Sequence, residues 1–158
     1  MGISVQPLTE KDFEPFGTII SASTALPMAD NKEITYWGKI AIVNMPDKIS
    51  TGIMHVHDRE HVVTKMERHT KTSEILIAVE GDSVICLAAP SDHEDSITDI
   101  NAFHIKKGDA IVLHRGTWHW AAFPGESEGA KFLVIFANDT EANDLETREL
   151  PEEIHIDF

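Results

Sequence analysis

Cysteine and basic residues are both scarce in this chain of 158 residues, and each shortage excludes something. The single cysteine, Cys86, leaves no pair for a disulfide within one chain, and its apolar surroundings in SVICLAA predict a buried, unreactive thiol. Lys and Arg number 13 against 27 Asp and Glu, which gives a formal net charge of -14. Because so acidic a chain repels a polyanionic backbone, we expect no nucleic-acid partner.

Signals for a membrane span and for secretion are missing too. The composition, 42% hydrophobic and 25% charged, is that of an ordinary globular protein, and the start MGISVQPLTEKDF has no basic leader followed by an apolar run. We therefore expect no membrane partner and a cytoplasmic location. The length predicts one domain, residues 1–158, with an acidic C-terminal tail from about residue 139 that packs loosely outside the core.

Helical patterns are nearly absent, and short strands predominate. Thr9 followed by Asp12 resembles an N-cap before a brief helix that Pro15 and Gly17 would end, after a first strand at residues 3–7. Later strand runs are separated by Gly, Pro, Asn and Asp, which predicts an all-β sandwich or barrel. These runs are 34–45, 51–60, 61–69, 73–81, 82–90, 102–108, 109–116, 117–123 and 130–139.

Two stretches carry most of the chemically useful side chains. The first is ERHTKTSEILIAVEG, where strand alternation places Lys65, Glu67 and His69 on one face. Beyond the TKTS turn, Glu74 opens a new strand within reach of His69. Two carboxylates and an imidazole suit a divalent ion such as zinc, nickel, manganese or iron.

The second stretch, GDAIVLHRGTWH, ends in a histidine that we expect to face the interior. His119 alternates with Trp118 and Trp120, so it should share a face with Ala121 and Phe123. Taken alone, such a histidine could equally be held by a hydrogen bond to a neighbouring strand. The two tryptophans point away from it, toward a second sheet or a partner subunit.

Together the two stretches resemble the paired motifs of the cupin superfamily. His69, Glu74 and Gly81 match the first motif, and Gly108, Gly116 and His119 match the second. The resemblance implies a double-stranded β-helix, a jelly-roll-like barrel, that binds one metal ion.

The motifs also depart from the cupin pattern at three positions. Glu67 replaces the first histidine, His114 a proline and Phe123 an asparagine. Because Glu67 can still ligate, the implied ligand set is Glu67, His69, Glu74 and His119. A cupin that binds no metal stays an open alternative, since loss of an imidazole weakens binding of transition metals.

A more specific resemblance runs along the whole chain. The segments VQPLTEKDFEPFGTII, MERHTKTSE, VLHRGTWHWAAF and LPEE are similar to those of the ureidoglycolate lyase family. The resemblance implies a small, cytoplasmic, homodimeric cupin that cleaves ureidoglycolate to glyoxylate and urea at the end of allantoin breakdown. Two other functions stay open: another metallo-cupin, an isomerase or oxygenase acting on a small carboxylate, and a non-catalytic cupin that binds a small ligand.

Elimination of urea requires two proton transfers and a cation for the substrate carboxylate. We predict His114 as general acid or base, because imidazole titrates near neutral pH. For the carboxylate we predict Lys65, with Arg68 or Arg115 behind it. Each has an ordinary alternative: a solvated Lys65, an outward ion pair for Arg68, and a His114 that satisfies backbone groups.

A histidine-rich segment, MHVHDREH, lies outside these motifs. His55 and His57 share a strand face because they are two residues apart, and His61 follows closely. The three could form a second metal site, the polar rim of a barrel mouth or an exposed strand edge.

Overall fold

Fourteen β-strands and two short helices make up the described part of the chain, which covers residues 1–22, 26–43, 45–91, 97–126 and 129–158 of a computed structural model. In order they are β1 (Gly2–Pro7), α1 (Glu10–Phe13), β2 (Gly17–Ile19), β3 (Ala29–Asp30), β4 (Thr35–Tyr36), β5 (Ile49–Val56), β6 (Val62–Arg68), β7 (Glu74–Glu80), β8 (Ser83–Ala88), β9 (Asn101–Ile105), β10 (Ala110–Leu113), β11 (Trp118–His119), β12 (Phe123–Pro124), β13 (Ala130–Ala137), α2 (Thr140–Asn143) and β14 (Glu146–Asp157).

Most of the strands belong to two sheets. The seven-stranded sheet has the order β11-β6-β14-β1-β9-β8-β12, with β11 also pairing with β8, and the five-stranded sheet has the order β2-β10-β7-β13-β5. β3 and β4 form a separate hairpin. The all-β barrel predicted from the sequence is confirmed.

The main apolar core lies between the two sheets. Leu76 of β7 and Phe132 of β13 meet Ile85 of β8 and Phe103 of β9 there. Phe13, at the end of α1, packs edge-on against Phe103 with ring centroids 5.4 Å apart. The predicted N-terminal helix is confirmed, with Thr9 accepting a hydrogen bond from the Asp12 amide.

A second core covers the opposite face of the seven-stranded sheet. Alternation along β8 sends Ile85 and Leu87 into the first core and Val84 and Cys86 into the second. Burial raises the pKa of the Cys86 thiol to about 12, so the prediction of a buried, unreactive cysteine is confirmed. Trp118 is also buried in this second core.

Two expectations about strands are wrong. The C-terminal tail does not pack loosely, since β14 pairs with β6 on one side and with β1 on the other. Ile154 and Ile156 of this strand pack into the second core, which holds it against the protein. Within the described residues of 34–45, only β4 is a strand. A β-branched composition favours a strand only where a neighbouring strand offers hydrogen bonds.

The alternation expected after His119 is wrong as well. Ala122 packs in the first core, and Phe123 packs in the second, on the side of Trp118. β11 ends at His119 and β12 begins at Phe123, so the regular two-residue period is interrupted between them.

Neither helix of the described chain is long and apolar enough to cross a membrane.

Candidate metal centre

Four titratable side chains meet at one end of the space between the sheets. Glu67 is near the end of β6 and stands opposite His119 of β11 in the antiparallel register. Glu74 is the first residue of β7, in the other sheet, and His69 lies in the connection from β6 to β7. The site therefore spans both sheets, and its position depends on two strand ends and one turn.

The ligand atoms of these residues converge. Glu74 Oε2 lies 3.0 Å from His119 Nε2 and 3.5 Å from His69 Nε2. Glu67 Oε1 lies 3.9 Å from His119 Nε2. One ligand atom from each of Glu67, His69 and His119 fits within a span of 4.8 Å. The structure thus brings together all four of the ligands predicted from the sequence.

Hydrogen bonds to backbone carbonyls fix the two imidazoles. His69 Nδ1 is 2.7 Å from the carbonyl oxygen of Asp144, and His119 Nδ1 is 3.0 Å from that of Thr117. Because a carbonyl oxygen only accepts, each Nδ1 carries the hydrogen and donates it. In a neutral imidazole this leaves the lone pair on Nε2, the atom that faces Glu74.

The charges of the three buried groups are strongly coupled. Burial raises the pKa of the Glu74 carboxyl, but the imidazoles of His119 and His69 outweigh burial and lower it to about 2. Burial lowers the pKa of each imidazole, but the carboxylate of Glu74 outweighs that effect and raises both above the ordinary value. Glu74 is therefore ionised at neutral pH.

Two atoms at the centre of the site lack hydrogen-bond partners. Glu74 Oε2 and His119 Nε2 are buried and close, yet their geometry is not that of a hydrogen bond, and no other described residue bonds to either atom. A cation between these two atoms would satisfy both, and imidazole nitrogens and carboxylate oxygens are ordinary ligands of metal ions. The donor set therefore fits a divalent metal ion.

The two cations predicted to bind substrate have partners elsewhere among the described residues. Lys65 Nζ lies over the ring of Trp120, 4.8 Å from its centroid. Arg68 Nε donates to Glu146 Oε2 at 2.7 Å, the outward ion pair that was the alternative to its substrate-binding role. The structure does not bring either side chain to the four ligands, and their substrate-binding roles stay predictions.

Arg68 belongs to a network that packs behind the site. Glu146 also accepts from Arg148, and the guanidinium carbons of the two arginines lie 4.5 Å and 5.1 Å from the centroid of the Trp118 ring. Arg68 lies between the ligands Glu67 and His69 in sequence, and Trp118 directly precedes His119. This network holds the two ligand-bearing strands together from their outer side.

His114 is exposed and lies outside the cluster. It lines a cavity of about 310 Å³ with Ser73, Val112 and Arg115, on the side of β10 that faces away from the main core. Its amide donates to the carbonyl of Phe16 at 2.9 Å. The structure therefore separates His114 from the ligands, and its role in proton transfer stays a prediction.

The histidine-rich segment does not converge on a point. His55 and His57 are exposed, whereas the His61 ring contacts the carbonyl oxygen of Pro124 at 2.7 Å. In the described part of the chain, one group of three or more His, Cys, Asp or Glu side chains has its ligand atoms close enough together to hold a metal ion. That group is Glu67, His69 and His119. Because His55 lies on β5, at the edge of its sheet, these positions match the exposed strand edge better than a second metal site.

Two residues that support the imidazoles were missed in the sequence. Thr117 could have been suspected, because it precedes His119 by only two residues in the chain. Asp144 gave no local signal, since it is 75 positions from His69. Contacts of this range follow from the packing of the C-terminal segment and not from a motif.

Comparison with known proteins gives one family and several relatives. A family model described as ureidoglycolate lyase matches residues 1–157. The ureidoglycolate lyase of Pseudomonas aeruginosa (strain LESB58) is 25% identical over 139 residues, covering 84% of this chain and 82% of that relative. That of Pseudomonas entomophila (strain L48) is 24% identical over 157 residues, covering 96% and 93%.

Two solved structures are similar to part of this chain. Oxalate decarboxylase from Bacillus subtilis, a protein with Mn(II) centres, is 19% identical with a TM-score of 0.46 and covers 65% of this chain. Vicilin from tomato is 20% identical with a TM-score of 0.44 and also covers 65%. The matched part of this chain corresponds to 24% and 26% of their lengths.

Proposed function

Since the chain belongs to the ureidoglycolate lyase family, we propose that it cleaves ureidoglycolate to glyoxylate and urea in allantoin breakdown. The observation that carries the mechanism is the convergence of Glu67, His69, Glu74 and His119, with buried lone pairs left unpaired at its centre. This arrangement supports the binding of a cation, and a bound cation could in turn hold oxygen atoms of the substrate.

We infer that the four residues hold a divalent ion, one of zinc, nickel, manganese or iron. Bound there, the ion would supply Lewis acidity, which lowers the pKa of a substrate hydroxyl and holds a carboxylate oxygen. His69 and His119 present Nε2 because their Nδ1 atoms already donate to carbonyls. Glu74, buried and ionised, balances the positive charge.

Glu67 is the ligand best placed to move a proton. Its side chain is 26% exposed, against 7% for His119 and 10% for Glu74, so it faces the side from which substrate must enter. A carboxylate has two oxygens and can ligate with one while the other accepts the hydroxyl proton. The carbon–nitrogen bond then breaks, its electron pair stays on the urea nitrogen, and Glu67 returns the proton to that nitrogen.

The assay of purified protein with ureidoglycolate tests the proposed reaction. Glyoxylate should form when Zn²⁺, Ni²⁺, Mn²⁺ or Fe²⁺ is supplied in turn, and Glu74→Ala should abolish both activity and metal binding. Glu80→Ala is the matched control, because Glu80 lies on the same strand but is exposed and pairs with Lys131. Absence of glyoxylate above background with every metal would overturn the proposal.

We also propose a homodimer in the cytoplasm, formed by a single domain of residues 1–158. Support for the dimer comes from the outer face of the five-stranded sheet, where Ile53, Leu133 and Ile77 stand side by side in register. β5 and β13 contain no Asp or Glu, although the chain carries a net charge of -14. Two adjacent strands without acidic side chains suit association of two identical acidic chains.

A further inference from the structure

Asp144 contacts the turn after β6 with both its backbone and its side chain. Its carbonyl oxygen accepts from His69 Nδ1 at 2.7 Å. Its carboxylate accepts from the amides of Thr70 and Lys71 at 2.9 Å and 2.8 Å, and from Thr70 Oγ1 at 3.1 Å. One residue thus holds three successive positions of the segment that carries a metal ligand.

Asp144 itself is tied to the protein core. Its amide donates to the carbonyl of Thr140 at 2.8 Å, and the buried Thr140 donates through Oγ1 to the carbonyl of Ala137 at 2.6 Å. The Ala137 amide in turn donates to Thr72 Oγ1 at 3.1 Å. The connection from β13 to β14 and the turn between β6 and β7 are therefore linked at both ends.

The carboxylate is needed to keep the carbonyl in place. Asp144 follows the last residue of α2, has a non-helical conformation with φ of -149° and ψ of 46°, and is half-buried. Its three side-chain hydrogen bonds fix the distance between this residue and the turn, and so fix the direction of its carbonyl toward His69. An ionised acceptor makes such bonds stronger than a neutral one does.

The two imidazoles differ in what holds them. His119 donates to the carbonyl of Thr117, only two residues before it in the chain, so its ring orientation follows from local geometry. His69 depends on a residue 75 positions later in the chain. A carbonyl acceptor at Nδ1 keeps the hydrogen there and leaves Nε2 free to ligate, and loss of such support weakens metal binding about 10- to 100-fold.

We propose that Asp144 is a positioning residue for the metal centre, which sets the Nδ1–H tautomer and the ring orientation of His69. The proposal rests on the metal site proposed above, but not on the identity of the substrate. Removal of the carboxylate should release the turn, lengthen the contact between the Asp144 carbonyl and His69, and allow the other tautomer to form.

Long-range ¹H–¹⁵N NMR of the histidine rings in metal-free protein at alkaline pH tests the proposal. Wild-type His69 and His119 should both show the Nδ1–H tautomer. In Asp144→Ala, His69 should become a mixture while His119 stays unchanged as an internal reference. Zn²⁺ affinity, measured by calorimetric titration, should fall about 10- to 100-fold.

Two further variants separate positioning from general destabilisation. Asp144→Asn keeps one oxygen acceptor and should recover much of the His69 tautomer and of the Zn²⁺ affinity. Glu141→Ala, in the exposed first turn of α2, is the matched control and should change neither. If Asp144→Ala does not fold, Thr70→Val, which removes one of the three side-chain hydrogen bonds, should still shift the His69 signals relative to His119.

An unchanged His69 tautomer in folded Asp144→Ala would overturn the proposal, even if its Zn²⁺ affinity fell. Neither measurement uses ureidoglycolate. An inactive wild-type protein would therefore overturn the proposed reaction and leave the positioning role of Asp144 to be decided by the NMR result.

Discussion

At the scale of single residues, Glu74 determines the charge balance of the metal centre because it faces two imidazole nitrogens at once. Its Oε2 is within 3.5 Å of both Nε2 atoms, and all three groups are buried. When no metal ion is bound, the Glu74 carboxylate attracts an imidazole of His69 or His119 most strongly if that imidazole is protonated and carries a positive charge. The site should therefore respond to pH in opposite directions with and without metal.

The first prediction concerns the stability of the metal-free protein. The pKa of Glu74 is lowered from 4.5 to about 2, so its stabilising effect is complete above pH 4.5 and is lost as the pH falls toward 2. The pKa values of His69 and His119 are raised from 6.5, so their effect is complete below pH 6.5 and is lost as the pH rises through the higher folded values. The melting temperature should therefore pass through a maximum between these limits.

Added Zn²⁺ should abolish the fall in melting temperature at alkaline pH, because metal binding requires neutral imidazoles. Thermal melts with chelator and with Zn²⁺, recorded across the pH range, check this. In the presence of chelator, the melting temperature of Glu74→Gln, whose side chain cannot ionise, should depend less on pH on both the acid and the alkaline side. A metal-free melting temperature that keeps rising above neutral pH would contradict the coupling between Glu74 and the histidines.

The second prediction compares two candidates for proton transfer. Glu67→Gln removes the proposed proton acceptor and should lower kcat about 100-fold or more. His114→Ala should leave kcat within about twofold, since His114 is exposed and lines a different cavity. Steady-state kinetics, with metal content measured for each variant, check this. A large loss of kcat in His114→Ala at full metal content would instead support the role predicted from the sequence.

At the scale of elements, the segment between β5 and β6 is held by an arginine that no sequence motif singled out. Arg59 donates to the carbonyls of Ala121 and Ala122 at 2.6 Å and 2.7 Å, and its guanidinium lies over the Phe123 ring, 4.2 Å from the centroid. Burial lowers the pKa of Arg59 from its usual value. The contact fixes the chain between β11 and β12, where strand alternation is interrupted.

The third prediction is that Arg59→Ala destabilises the protein by about 2 kcal/mol, because two part-buried carbonyl oxygens lose a charged donor. Arg59→Lys should recover less than half of this loss, since a strongly hydrated ammonium replaces the planar guanidinium that lies over the Phe123 ring. Urea denaturation gives the free energy of unfolding. Glu60→Ala, a neighbouring exposed position, is the control, and equal stability of Arg59→Ala and Glu60→Ala would contradict the interpretation.

At the scale of the whole molecule, the outer face of the five-stranded sheet remains uncovered by other described elements over much of its area. Ile53 is 61% exposed and Ile49 is 54% exposed, and both lie on β5, the edge strand of that sheet. Exposed edges of this kind are usually short, charged or covered. The proposed second copy would cover this one.

The fourth prediction follows from that proposal. Sedimentation equilibrium should show a dimer for the wild type, and Ile53→Lys should weaken its association at least about tenfold, because a buried ammonium would lack a partner at the interface. Leu145→Lys is the control, since Leu145 is 45% exposed but lies before β14, outside this sheet. A monomeric wild type at micromolar concentration, or an unaltered Ile53→Lys dimer, would contradict the proposal.

The sequence by itself was enough to predict the fold class, the short N-terminal helix, the buried cysteine and the family. It also selected Glu67, His69, Glu74 and His119, which the structure brings together. Strand alternation is local, and it placed Glu67 and His69 on one face, whereas His119 was joined to them by the resemblance to the cupin motifs. Where alternation was interrupted, after His119, the same rule gave the wrong face for Phe123.

Only the tertiary structure decided which polar groups are engaged and what supports the ligands. Lys65 lies over Trp120, Arg68 pairs with Glu146, and Asp144 fixes the ring of His69, although these partners are distant in sequence. An ion pair or a carbonyl contact depends on which segments pack side by side, and no local periodicity encodes that. The candidate metal ligands could therefore be predicted from the sequence. The residues that hold those ligands in place, and the partners of Lys65 and Arg68, could not.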